Sequence, residues 1–297
     1  MAITQGNVIP AAMRSVVPGE GERAMGVVLV DAGRLTLERA EQILRLQREK
    51  GLRFGEAGLE LGLLTQDDID FALSRQFDYP YLVRGASEVS ETVVAAYAPS
   101  HPQVEGLRAV RTQLMLRWFG ADAGRKALAI VGAARGEGRS FIAANLAVAF
   151  SQLGERTLLI DADLRNPCQH KLFGLDNRAG LSALLSGRGD AEAVQRIPGL
   201  PNLSVLPSGA LPPNPQELLS RPLFRKLLDQ LAAQADIILL DSPAASESAD
   251  AQIVAVRAGA AMIVVRKNTS RIWRVQGVSD NVAEAKATVV GAVLNDF

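Results

Sequence analysis

The sequence predicts an α/β fold: a doubly wound, mostly parallel sheet, preceded by a small, mainly helical N-terminal domain. Three observations predict it. Apolar runs at 127–131, 157–160, 203–206, 236–240, 261–265 and 289–294 alternate with helix-forming stretches, the signature of repeated strand–helix units. The first run leads into Ala133-Ala-Arg-Gly-Glu-Gly-Arg-Ser140, a glycine-rich turn that opens a helix over about Phe141 to Gln152. The second and the fourth run into aspartates, Asp161 and Asp241, with Asp163 two residues after the former.

Residues 1–20, with Pro10 and Pro18, read as a flexible tail. Residues 21–84 form a tandem repeat. Gly26 aligns with Gly55, Gly33 with Gly62, Leu44 with Leu73 and Gln47 with Gln76, always 29 residues apart. Each copy pairs glycine turns with a helix-period segment, Thr36 to Glu49 in the first and Thr65 to Phe77 in the second. Residues 85–100 read as a linker, and a helix from about 101 leads into the α/β domain, which runs to 297.

The loop at 133–140 has the chemistry of a phosphate cradle. Gly136 and Gly138 let consecutive backbone N–H groups converge on phosphate oxygens at the positive end of the helix dipole. Ser140 stands where a hydroxyl would meet Mg²⁺. Ala133 replaces the first glycine of the usual pattern and Arg139 replaces its lysine, a planar fork in place of a point cation. By itself such a loop reads equally as an ordinary βα turn. Asp161, Asp163 and Asp241 change that balance. Carboxylates at the C-terminal ends of parallel strands face the crevice where open α/β sheets bind ligands, where they can hold a hard cation or accept a proton.

Composition narrows the alternatives. With 32 basic and 32 acidic residues the net charge is zero, so no nucleic-acid partner is expected. The single cysteine, Cys168, and the two histidines suit a reducing cytoplasm and form no zinc set. No apolar run approaches the ~18 residues of a membrane span, so recruitment to the inner face of the membrane would need a partner.

Together these motifs resemble the bacterial tyrosine kinases of the polysaccharide co-polymerase system, the CpsD/CapB family, over about residues 101–297. Pro213-Asn-Pro-Gln-Glu-Leu-Leu219 and Glu105-x-x-Arg108-x-x-Arg111 match further segments of that family, and the chain resembles in particular its exopolysaccharide branch called EpsG. ParA/MinD-type ATPases share the fold, but their extra loop lysine would fall at Ala134. The resemblance implies ATP and Mg²⁺ as cofactors. It puts Gly136, Glu137, Gly138, Arg139, Ser140, Phe141 and Asn295 around the nucleotide, and Ser140, Asp163 and Asp241 toward the metal. Asp161, Asp163 and Arg139 would be catalytic, with Asp161 the base. It further implies a homo-oligomer, a ring built through Glu105, Arg108 and Arg111, and a membrane polysaccharide co-polymerase as partner.

The second N-terminal copy, with Arg53, Gly55, Gly62 and Gln76, resembles the cyclic-di-GMP motif of type II secretion and pilus ATPases. Gly26, Gly33 and Gln47 belong to the first copy, where Ala24 takes the arginine position and Arg23 lies one residue early. A purely structural repeat is the equal alternative. The only tyrosines are Tyr79, Tyr81 and Tyr97, whereas the family ends in a tyrosine cluster, so autophosphorylation of such a tail is not expected. Two functions follow: a protein-tyrosine kinase, or a catalytically weak ATP-binding module that regulates assembly.

Overall fold

The computed structural model describes residues 24–76, 79–122, 124–189 and 191–296; the tail expected over 1–20 and Arg23 lie outside them. The chain divides into two compact units, Met1–Val83 and Arg84–Phe297.

In the first unit, four helices realise the duplication: α1 (Met25–Asp31), α2 (Leu37–Lys50), α3 (Phe54–Glu60) and α4 (Gln66–Gln76). Helices α3 and α4 begin 29 residues after α1 and α2. Gly33 and Gly62 end the shorter helices with φ of 70° and 64°, a left-handed conformation that glycine adopts without a Cβ penalty. Thr36 caps α2, accepting from the Arg39 N–H, and Thr65 with Asp68 makes the reciprocal cap of α4. The core obeys the same offset: Val28, Leu35, Ala40 and Ile43 from one copy, Ala57, Leu64, Ile69 and Ala72 from the other. Large in one copy corresponds to small in the other at three of these positions, Val28 with Ala57, Ala40 with Ile69 and Ile43 with Ala72. Packing is crosswise, α1 on α4 and α2 on α3.

The second unit begins with α5 (Val94–Tyr97) and α6 (Pro102–Leu114), followed by a single π-turn at Met115–Phe119. The α/β core then runs β1 (Ala127–Gly132), α7 (Arg139–Ser151), β2 (Thr157–Asp161), α8 (Gln169–Leu172), α9 (Leu181–Leu185), β3 (Gln195–Ile197) and β4 (Leu200–Leu206). It continues with α10 (Pro215–Ser220), α11 (Pro222–Ala232), β5 (Ile237–Asp241), α12 (Asp250–Ala258), β6 (Ala260–Arg266), α13 (Ile272–Glu284) and β7 (Thr288–Asn295). One seven-stranded sheet has the order β3-β4-β2-β5-β1-β6-β7. All neighbours are parallel except the antiparallel β3–β4 pair. The central strands are buried on both faces, which is why they read as unbroken apolar runs. β3 was not anticipated: Gln-Arg-Ile carries no apolar period, and an edge strand needs only one buried side chain, Ile197.

Residues 85–100, expected as a linker, pack onto the second unit. Val89, Val93, Ala95, Ala96 and Tyr97 are buried. The segment is stapled by side chains far away in sequence: the Ala95 N–H donates to Asn145 Oδ1 (2.9 Å), and Gln152 Nε2 donates to the Ala95 carbonyl (2.9 Å). The Ser90 N–H donates to the Leu172 carbonyl of α8 (2.8 Å). Buried backbone groups must be paired, and Asn145 of α7 and Gln152 at its C-cap supply amides to do it.

Candidate nucleotide site

The glycine-rich loop joins β1 to α7. Gly136 (φ 78°) and Gly138 (φ 94°) take the left-handed conformations that turn the backbone into a nest, and Gly138 caps α7. Four side chains brace the loop. Glu137 is buried: its Oε2 accepts from the Ala134 N–H (2.9 Å) and its Oε1 from Ser270 Oγ (2.5 Å). Asn295 Nδ2 donates to the Glu137 carbonyl (3.0 Å), and Arg266 Nη1 to that of Gly136 (3.0 Å). Arg139 is 8% exposed and turned under the loop. Its Nη1 donates to the Ala134 carbonyl (2.6 Å) and its Nε to the Ser242 carbonyl (3.1 Å). This is the largest departure from the expectation of a phosphate-facing cation. The fork clamps the loop to the end of β5, and only its remaining donors are left for a phosphate.

The carboxylates come from neighbouring strands. Asp161 of β2 and Asp241 of β5 are register partners, both fully buried. Asp161 accepts three backbone N–H bonds, from Asp163 (3.2 Å), Cys168 (3.0 Å) and Gln169 (2.9 Å). Burial first, and the Asp241 charge second, raise its proton affinity well above that of an ordinary carboxyl. Burial also pushes Asp241 up to about 6, with Gln169 and the Ser140 hydroxyl beside it holding it down in part. Asp163 is also buried and accepts from the Arg165 and Asn166 N–H groups. Burial pushes the neighbouring Cys168 thiol up to about 12, which leaves it inert at neutral pH.

The oxygen donors here fit a hard cation. Ser140 sits in the first turn of α7, Asp241 Oδ1 is buried without a hydrogen-bond partner, and so is Gln169 Oε1. Among the described residues no group of three His, Cys, Asp or Glu side chains converges. A Mg²⁺ ion here would be held by a hydroxyl, carboxylates, waters and phosphates, not by a protein cage.

Phe141 is half-buried behind Ser140, and its carbonyl accepts from Asn145 Nδ2 (2.9 Å). Away from the loop, Glu105 and Arg108 on α6 form an i,i+3 ion pair at 3.2 Å. Arg111 does not join them on an open face: it turns inward and its Nη1 donates to the Ala149 carbonyl (2.7 Å). Tyr97 is buried with its hydroxyl donating to the Val89 carbonyl. In the first unit, Gly26 and Gly55 are helix-packing positions. A Cβ on Gly26 would sit 3.0 Å from Phe54 Cζ, and one on Gly55 3.1 Å from Ile69 Cδ1. Gly33 and Gly62 are exposed at turns, Arg53 is the exposed N-cap of α3, and Gln47 and Gln76 are half-buried near their helix ends.

Sequence reasoning missed Gly132, Gln169, Ser270 and Arg266. A Cβ on Gly132 would lie 2.7 Å from Glu137 Oε2, so the last residue of β1 makes room for the buried glutamate. A glycine ending an apolar strand was the available signal. Gln169 carried none.

A parallel sheet that presents a braced glycine nest beside two buried strand-end carboxylates defines a P-loop nucleotide-binding domain. Residues 125–281 match the family described as "Cellulose biosynthesis protein BcsQ". The chain is 34% identical over 209 residues to tyrosine-protein kinase YwqD of Bacillus subtilis, covering 70% of this chain and 87% of that one. The kinase domain of Escherichia coli tyrosine kinase ETK superposes with a TM-score of 0.66 at 30% identity, covering 74% of this chain and 85% of that one. EpsB of Ralstonia solanacearum is 36% identical over 203 residues, 68% of this chain, but the chain spans only 27% of that relative's length. The chain belongs to the bacterial tyrosine-protein kinase family, on a P-loop domain of the BcsQ type.

Proposed function

We propose that this chain is an ATP-dependent protein-tyrosine kinase that regulates exopolysaccharide synthesis, chain length and export. The observation that carries the reading is the pair Asp161–Asp241, buried side by side at the strand ends beneath Ser140 and the nest. The nest amides and the α7 dipole bind phosphate oxygens, and the first-turn hydroxyl of Ser140 and the carboxylates of Asp163 and Asp241 face the cation. When bound, Mg²⁺ supplies charge neutralisation on the transferring phosphoryl group. Asp161 receives the proton of the attacking hydroxyl; its raised proton affinity is in the direction a general base needs. Arg139 acts chiefly by fixing the loop, Asn295 by bracing Glu137.

The acceptor is Tyr79 or a tyrosine of another protein; the buried hydroxyls of Tyr97, which donates to the Val89 carbonyl, and of Tyr81 speak against those two residues. The partner is a membrane polysaccharide co-polymerase that brings the chain to the inner face of the membrane, and no helix among the described residues is long and apolar enough to cross one. Glu105, Arg108 and Arg111 contribute to a homo-oligomeric ring. The N-terminal repeat senses cyclic-di-GMP through Arg53 and the turn glycines, a reading supported by the 29-residue spacing shared by sequence, helices and core.

Arg139 favours a second reading, a catalytically weak ATP-binding regulator, because two of its nitrogens hold carbonyls. Incubating purified protein with MgATP and probing for phosphotyrosine, with Asp161→Ala as control, decides between them. Signal in wild type that the variant lacks supports the kinase; nucleotide binding without signal supports the regulator.

A further inference from the structure

Gln169 is fully buried, yet nothing in α8 requires an amide side chain there. What Asp161 receives from this turn comes from backbone N–H groups. The side chain reaches the opposite carboxylate. Its Nε2 donates to Asp241 Oδ2 (2.8 Å) and to the Ser140 carbonyl (3.1 Å), so both amide hydrogens are engaged. Its Oε1 is buried with no hydrogen-bond partner, and so is Asp241 Oδ1. Two open acceptors on one hydrogen-bonded pair call for a positively polarised neighbour, since buried polar atoms are otherwise paired.

We propose that Gln169 is a positioning residue of the cation site. Its Nε2 fixes the plane of the Asp241 carboxylate, and its Oε1 accepts a hydrogen bond from a water in the shell of a Mg²⁺ ion. The inference rests on the reading of Ser140 and Asp241 as residues that face this ion. Mg²⁺ gives up its waters reluctantly, and each retained water is a donor in need of an oriented acceptor. An amide meets that need without adding a further negative charge beside Asp161 and Asp241.

The test is the Mg²⁺ dependence of ADP binding to the full chain, titrated by calorimetry with and without Mg²⁺. Gln169→Met, similar in length but without the oxygen, should raise the Mg²⁺ midpoint about tenfold or more, the range for losing an outer partner of a metal site. Mg²⁺-free ADP affinity should not move, which also reports that the variant is folded. Gln169→Glu, which keeps an acceptor oxygen but trades the Nε2 donor for a carboxylate against Asp241 Oδ2, should also raise the midpoint. If Met folds poorly, Gln169→Asn, which shortens the arm, should raise the midpoint by itself. An unchanged midpoint in Gln169→Met overturns the proposal. Wild type that binds no ADP at any Mg²⁺ concentration would instead overturn the nucleotide reading, whereas absent phosphotyrosine leaves this test intact.

Discussion

Asn295 donates its side-chain amide to the backbone carbonyl of Glu137, 3.0 Å away and 158 residues earlier in the chain. The last residue of the sheet thereby holds the middle of the phosphate loop. The contact makes Asn295 a brace for the nest, whatever else it meets when nucleotide is bound.

Asn295→Ala should therefore loosen the loop without unfolding the domain. One neutral hydrogen bond is at stake, about 0.5–1.5 kcal/mol. ADP affinity, read by calorimetry, should drop roughly two- to tenfold. An unaltered Kd would mean that the loop keeps its shape without this bond.

Arg139→Lys, a restoration of the usual loop lysine, should be destabilising here. A lysine cannot donate to the Ala134 and Ser242 carbonyls in the forked geometry seen for the guanidinium. Leaving a buried carbonyl unmet costs about 1–3 kcal/mol. Denaturant unfolding should register this loss. Equal stability of the two proteins would show that the clamp contributes nothing.

Protons on the carboxylate pair give a pH signature. Asp241 in the folded state titrates near 6, above its unfolded value, so the native state binds the proton more tightly. The associated stability is complete below about pH 4 and disappears as pH rises through 6. Asp161 acts in the same direction. Asp241→Asn should flatten this decline and stabilise the nucleotide-free protein at pH 7, by on the order of 2–3 kcal/mol. Thermal melts of both proteins between pH 4 and pH 8 provide the comparison; parallel curves would refute it.

The ring is best tested through two of its three residues. Arg111 bonds the Ala149 carbonyl, so replacing it perturbs the domain as well as any interface. Glu105→Ala with Arg108→Ala removes an ion pair between an exposed glutamate and a half-buried arginine, a change that should cost little stability. Light scattering should find this variant monomeric at concentrations where wild type assembles. Identical masses would exclude these side chains from the contact.

For the N-terminal repeat, Arg53→Ala should weaken cyclic-di-GMP binding by the full chain by about 1.5–3 kcal/mol, the worth of a hydrogen bond to a charged group. Arg53 is exposed at the N-cap of α3 and contributes no core contact, so stability should be unaffected. Absence of binding by wild type at submillimolar ligand would leave the repeat a packing unit.

How much of this was legible in the sequence depended on range. Ile237 to Asp241 and Thr157 to Asp161 announce themselves because strands buried on both faces are apolar throughout. The nest was readable because its glycines are consecutive features of one turn. Residues 85–100 were misread because Asn145 and Gln152, which hold them, lie some 50 residues downstream, and alanines such as Ala95 and Ala96 carry little periodic signal. Arg139 was assigned a phosphate because its position in the motif says nothing about where the side chain turns. Gln169 escaped notice because a glutamine is informative only once its neighbours are known to be two buried aspartates.

The crosswise packing of the first unit has one more consequence. Each copy buries its apolar face mainly against the other: α1 lies on α4 and α2 on α3, and the core positions Val28, Leu35, Ala40 and Ile43 recur as Ala57, Leu64, Ile69 and Ala72. A polypeptide holding a single copy could satisfy every such pairing with a second molecule of its own kind. The arrangement is that of an isologous pair joined end to end, in which the short connection through Gly51 replaces association with covalent tethering. Sequence change on one side of that pseudo-symmetry axis is then free to specialise one half, as Ala24 and Arg53 already have, while the shared core holds both in place.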